Sequence, residues 1–210
     1  GYFFWQITKE TSIALFYSRV LMVGAIFIPV FSFHFVIHLL DIFKEKRGLL
    51  IIGYILSFVF LFLNFTPLFI KGVSSKLSFS FWPEPNIAFH PFLLMFFSYV
   101  AYSLYLMFRT YRKLAGVKLK QMKREQIKYV LIGTLIGFIG GSTNYFLWYD
   151  FPIPPYWNFL VTIYVALVAY AIMKYQLMNI KLILTEFLVG LIALVLLVET
   201  VISKSFYEIL

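Results

Sequence analysis

The chain is built from long apolar runs that carry almost no charge, and their length limits what it can become. Six can be read, at about 13–40, 49–70, 91–108, 127–147, 157–173 and 182–202. A run of about 21 residues, coiled as an α-helix, is about 31 Å long and crosses the hydrocarbon core of a bilayer. No water is present there, so every backbone N–H and C=O must be paired within the protein. Helices and closed barrels meet that demand. The runs lack the strict alternation of barrel strands, which leaves helices. The expected fold is all-α, a polytopic integral membrane bundle of about six transmembrane helices. Pro29 is expected to kink the first span mildly.

Composition supports the same conclusion. Apolar residues make up 62% and charged residues 13%, an excess that no single water-soluble core can bury. The 26 Phe, 15 Tyr and 4 Trp suit a protein with two membrane–water interfaces to line. Cysteine is absent, which removes disulfides, thiolate metal sites and cysteine nucleophiles. The chain opens on Gly1 rather than Met and closes on Leu210 directly after an apolar run. It reads as a piece of something longer.

Orientation is read from the short loops. The loop at 109–128 holds eight Lys and Arg; with 41–48 and 174–181 on the same side the count is thirteen, against five on the other. Basic loops stay cytoplasmic, so residues 1–12, 71–90, 147–157 and 203–210 are expected outside the cell or inner membrane. The net charge of +9 needs no nucleic acid. A basic juxtamembrane loop attracts anionic lipid headgroups at about 1 kcal/mol per residue.

Within this frame a few residues stand out. Gly133, Gly137 and Gly141 recur every four residues, with Gly140 alongside. Such a stripe lets a neighbouring backbone come close, either inside one bundle or across a homodimer seam. Asn144, Trp148 and Asp150 offer hydrogen bonds beside aromatic area, and they either rim an outward-facing pocket or form an aromatic belt before the rigid 151–156 turn. The outer segment 71–90 alternates apolar and polar residues from Leu77 to Trp82, the pattern of a short strand or a lid. Pro83, Glu84, Pro85 and Asn86 are then expected to turn the chain. Trp82 and Arg19, near the outer boundary, join the ligand-sensing candidates.

Other chemistry finds little support. His34 and His38 at i and i+4, with Asp41 one turn on, resemble a metal-ligand spacing, but the Glu of a zinc protease is missing and no second ligand cluster accompanies them. They read as interfacial histidines, and no cofactor or metal is expected. Glu186 and Glu199 fall near opposite membrane faces. No ionisable group sits at mid-depth, which disfavours an ion pathway. No nucleophile with its base, carboxylate pair or phosphate cradle is present, so the chain is not expected to be an enzyme.

The string Ala169-Tyr170-Ala171-Ile172-Met173-Lys174-Tyr175-Gln176-Leu177-Met178-Asn179-Ile180 resembles the end of the seven-transmembrane sensor region of bacterial membrane histidine kinases. Arg124, Gln126 and Tyr129 opening a span, Gly133, Gly140-Gly141 and Ile153-Pro154-Pro155-Tyr156 are similar to that family too, as are Phe16, Arg19, Pro29 and His34-Phe35. The likeness covers about 3–181. Asn179 stands where the family commonly has Asp. Five of the family's seven spans precede the motif, which implies two more upstream of Gly1. The run at 182–202 is then an additional span leading to a missing C-terminal region. The resemblance implies a signal input module of a two-component phosphorelay, with Lys174, Leu177, Met178 and Asn179 at its output. It also implies a homodimer that reaches a cognate response regulator only through kinase domains absent here. The residues leave the stimulus open among a small apolar molecule, a lipid, a peptide and the state of the bilayer itself. The alternative is a small membrane transporter or lipid-handling protein.

Overall fold

The structure, a computed structural model, describes residues 2–175. The run at 182–202 and the output candidates Leu177, Met178 and Asn179 lie outside the described residues. Within them, five segments are long and apolar enough to cross a membrane: Thr11–Leu39, Phe43–Asn64, Phe89–Lys113, Lys118–Trp148 and Pro155–Tyr175. The fold is mostly all-α.

A short helix, α1 (Tyr2–Ile7), precedes α2 (Thr11–Leu39), which runs unbroken through Pro29. Proline lacks the N–H that would close on the Ala25 carbonyl. The buried residues Ala14, Ser18, Met22, Ile26, Val30 and Phe33 form one stripe at helical spacing. Phe16, Ile28 and Phe31, on other faces, are exposed. Both faces are apolar because the outer solvent is lipid, so polarity does not mark the inner face. Small residues mark it instead. Ser57 of α3 (Phe43–Asn64) donates to the Ile26 carbonyl at 3.5 Å, and a Cβ on Gly53 would stand 2.9 Å from the Tyr99 hydroxyl. That hydroxyl donates to the Leu49 carbonyl at 2.7 Å.

The second span ends earlier than its hydropathy suggests. The helix stops at Asn64 rather than continuing to about residue 70. The Thr66 hydroxyl takes the Leu63 carbonyl at 2.7 Å, and Pro67 disfavours helical geometry in the residue before it. Phe69 turns back onto Phe60, Phe89 and Phe92, and Ile70 opens a different element, a β-hairpin of β1 (Ile70–Lys76) and β2 (Phe79–Pro85). The turn is at Leu77-Ser78, with Leu77 at φ 53°, rather than at 83–86. Pro83 and Pro85 lie inside β2. A two-stranded sheet has only edge strands, and edges tolerate proline.

The remaining helices are α4 (Phe89–Lys113), α5 (Gln121–Ser142), α6 (Asn144–Trp148) and α7 (Leu160–Tyr175). A 3-10 turn, Lys118–Lys120, leads into α5, and another, Pro155–Phe159, into α7. The fourth span thus breaks at Thr143, whose hydroxyl bonds the Gly140 carbonyl. α2 packs on α3 and α4, α4 also on α5, and α5 on α7. The hairpin rests on α1, α2 and α6, so one end of the bundle is capped by hairpin and the other carries the basic loops.

Candidate functional site

The hairpin end is held by one lysine. Lys76, at the close of β1, is 8% exposed. Its ammonium donates to the carbonyls of Leu147 and Trp148, both at 3.1 Å, and pairs with the Asp150 carboxylate at 2.9 Å. The two carbonyls belong to the last turn of α6, where a cation is favourable; that of Leu147 also accepts the Asp150 N–H at 3.4 Å. The Asp150 side chain is 82% exposed, and a solvated ion pair contributes little. The carbonyls therefore carry most of this contact. Asp150 sits at φ 61°, a conformation that Asp tolerates better than most residues.

Beneath this latch is an aromatic layer. Trp82 is fully buried, edge-on to Trp5 with ring centroids 5.6 Å apart and 4.9 Å from Phe79. Trp148 lies flat on Phe89 at 4.3 Å with planes 7° apart. The Tyr149 hydroxyl meets His90 Nδ1 at 2.7 Å, and burial pushes its phenol above the usual tyrosine value.

Below and beside the layer is a cavity of about 800 Å³, walled by α2, α5 and α7. The α2 wall offers Gly24, Ile28, Phe31 and Phe35; Gly137 and Phe138 come from α5, Val161 and Tyr164 from α7. At the hairpin end the lining includes Trp5, Trp82, Asn144 and Trp148. Gly24, Ile28 and Phe31 are exposed as well as lining the cavity, so it opens sideways past α2. No charged side chain lines it among the described residues. The Asn144 amide donates to the Gly141 carbonyl at 3.0 Å. No donor among the described residues reaches its buried Oδ1.

The structure therefore brings Trp82, Asn144 and Trp148 to one cavity, with Asp150 at the latch above. Arg19 is elsewhere. Its guanidinium is 3.4 Å from the Phe65 carbonyl, and its own carbonyl accepts from Asn64 at 2.9 Å. It ties α2 to the end of α3. The glycine stripe faces α7: a Cβ on Gly137 would come within 2.7 Å of Tyr164 Cβ, and one on Gly140 within 2.6 Å of the Trp157 carbonyl. Gly133 would meet Leu167 at 3.3 Å, and Gly141 meets Val161 at an ordinary 3.7 Å.

At the opposite end, Gln126 of α5 donates to the Tyr175 carbonyl. Tyr129 stacks on Tyr175 at 5.4 Å and meets Tyr170 edge-on at 5.2 Å. Lys174 bonds the Tyr170 hydroxyl. Nearby, Arg124 lies over the Tyr111 ring at 4.5 Å, and Lys123 pairs with Asp41 at 3.0 Å. Asp41 is thus engaged by a lysine, while His34 bonds the Tyr54 hydroxyl at 2.8 Å. No cluster of three or more metal-ligand side chains occurs among the described residues.

The family described as the N-terminal 7TM region of histidine kinase matches residues 1–181. The chain belongs to that family. No curated protein and no solved structure matches it. In this 7TM histidine-kinase region two separated strings of the sequence meet in space. Gln126 and Tyr129 lie far from the Ala-Tyr-Ala-Ile string in sequence but touch Tyr170 and Tyr175 in space. The region is a multi-pass membrane segment, a non-catalytic input region by family. Lys76 was missed by sequence reasoning, which counted it only as a loop charge. The α2 wall of the cavity was missed too, its visible sign being the small residues Gly24, Ala25 and Ser32 among bulky ones.

Proposed function

We propose that this chain is the signal-sensing input module of a sensor histidine kinase in a two-component phosphorelay. It sits in the cell membrane with the basic loops cytoplasmic and the hairpin outside. The observation that carries this reading is the shared pair of helices. α5 and α7 wall the cavity at the hairpin end, and the same two are fastened at the basic end through Gln126, Tyr129 and Tyr175. Packed helices switch between discrete arrangements rather than deform smoothly, so a shift of α7 at Tyr164 moves Lys174 at its far end. The input works as a homodimer, and the response regulator is reached through kinase domains beyond this chain.

Two measurements test the reading. The reading frame beyond Leu210 should encode a phospho-accepting histidine and an ATP-binding lid; a frame that closes without them ends the proposal. In the protein carrying those domains, Gln126→Ala should change basal autophosphorylation while leaving the hairpin end intact. An unaltered rate would remove α5–α7 from the output path.

A further inference from the structure

The cavity also limits what can fill it, and this step rests on reading the region as a sensor. Its lining is elongated: Leu21 to Phe35 of α2 both touch it, a rise of about 21 Å. Pockets of about 300–1,000 Å³ hold one compact molecule, so about 800 Å³ suits one chain and a small head rather than a two-chain phospholipid. Charge is excluded on both sides. No Lys, Arg, His, Asp or Glu lines the space among the described residues, and an ionised group placed there would lose its hydration without a partner.

The polar side chains are unevenly spread. Ser142, Asn144 and Asn158 gather at the hairpin end, and Ser32 lies deeper. Asn144 stands among them with its amide engaged and its Oδ1 buried without a donor among the described residues. That orphan acceptor is suited to a hydroxyl or an amide N–H. The gap past Gly24, Ile28 and Phe31 gives access from the bilayer. A ligand arriving from lipid gains little by burying its chain, since lipid is already apolar. Shape and the polar head must therefore provide the discrimination.

We propose that the cavity binds one uncharged single-chain amphiphile, its hydroxyl or amide head at Asn144 and its chain running along α2 toward Phe35. Gly24 supplies the decisive variant, because a Cβ there meets nothing within 4 Å among the described residues. Gly24→Phe therefore starts a bulky side chain at the cavity wall without a clash at its first atom.

The test uses the 210-residue chain in phosphatidylcholine nanodiscs, with a brominated long-chain alcohol as quencher of the cavity-lining Trp5, Trp82 and Trp148. Quenching should saturate in the parent and lose its saturable part in Gly24→Phe, with the melting temperature unchanged. Asn144→Ala should bind about three- to tenfold more weakly, the loss of one hydrogen bond. The matching brominated carboxylate should bind at least about thirtyfold more weakly. Three results would overturn the proposal: quenching that never saturates, equal binding of the carboxylate, or equally saturable quenching by brominated phosphatidylcholine. Binding is read without kinase output, so the two readings fail separately. Saturable binding that leaves autophosphorylation unmoved sinks the sensory role and keeps the site. A kinase that responds to some other stimulus while the alcohol fails to bind does the reverse.

Discussion

At the scale of single residues, Lys76 shows how chemistry can hide in an ordinary loop charge. Nothing in its neighbourhood marks it, because its partners are backbone carbonyls contributed by residues 147 and 148. Lys76→Met keeps the aliphatic stem but leaves the Trp148 carbonyl without a donor among the described residues, while that of Leu147 keeps the Asp150 N–H at 3.4 Å. It should cost about 1–3 kcal/mol. Asp150→Asn removes only the exposed half of the ion pair and should cost under about 1 kcal/mol. Thermal unfolding of both variants in one detergent checks the ordering; equal losses would mean that the ion pair, not the carbonyls, holds the hairpin. Asn144 and Trp148 were legible as polar and aromatic groups near an interface. That they share a cavity with Trp82 was not, since residue 82 and residue 144 meet only through the docking of the hairpin on α6.

Among the elements, the α5–α7 seam gives the sharpest expectations. Gly140→Ala puts a methyl 2.6 Å from both Leu160 Cβ and the Trp157 carbonyl, and backbone cannot step aside cheaply. It should destabilise by about 1–3 kcal/mol. Gly141→Ala, one residue on, meets Val161 at 3.7 Å and should gain up to about 1 kcal/mol from helix propensity. Opposite shifts in melting temperature confirm that the stripe serves this seam; parallel shifts would refute it. The spacing of the stripe was readable, but its partner was not, because every neighbouring helix is apolar and any could have received it. Span ends show the same limit. Hydropathy carried the second span to about residue 70, whereas Thr66 and Pro67 end the helix, Phe69 packs on Phe60, Phe89 and Phe92, and Ile70 opens the hairpin. Conversely, the alternation after Leu77 did announce β2, while the prolines that looked like a turn were accommodated in an edge strand.

For the whole molecule, sidedness is the property most open to test. The chain has no cysteine, so single reporters are clean. Leu119→Cys, at a position 99% exposed in the basic loop, should react with a membrane-impermeant thiol reagent only from the cytoplasmic side. Ser78→Cys, at the exposed hairpin turn, should react only from outside. The reversed pattern would overturn the orientation. The helical, membrane-spanning class was determined by the sequence alone, and so was the charge asymmetry on which the expected orientation rests. Both are sums over many residues, apolar length against bilayer thickness and basic charge in one set of loops against the other, and such sums survive any detail of packing. The tertiary structure alone decided the rest: which helix meets the glycine stripe, what Lys76 holds, and that α2, α5 and α7 leave a cavity with no charge on its wall among the described residues. These are pairwise matters of position. In a lipid solvent, buried and exposed faces are equally apolar, so the amphipathic signal that reveals a soluble helix's inner face is missing, and the contacts had to be seen in space.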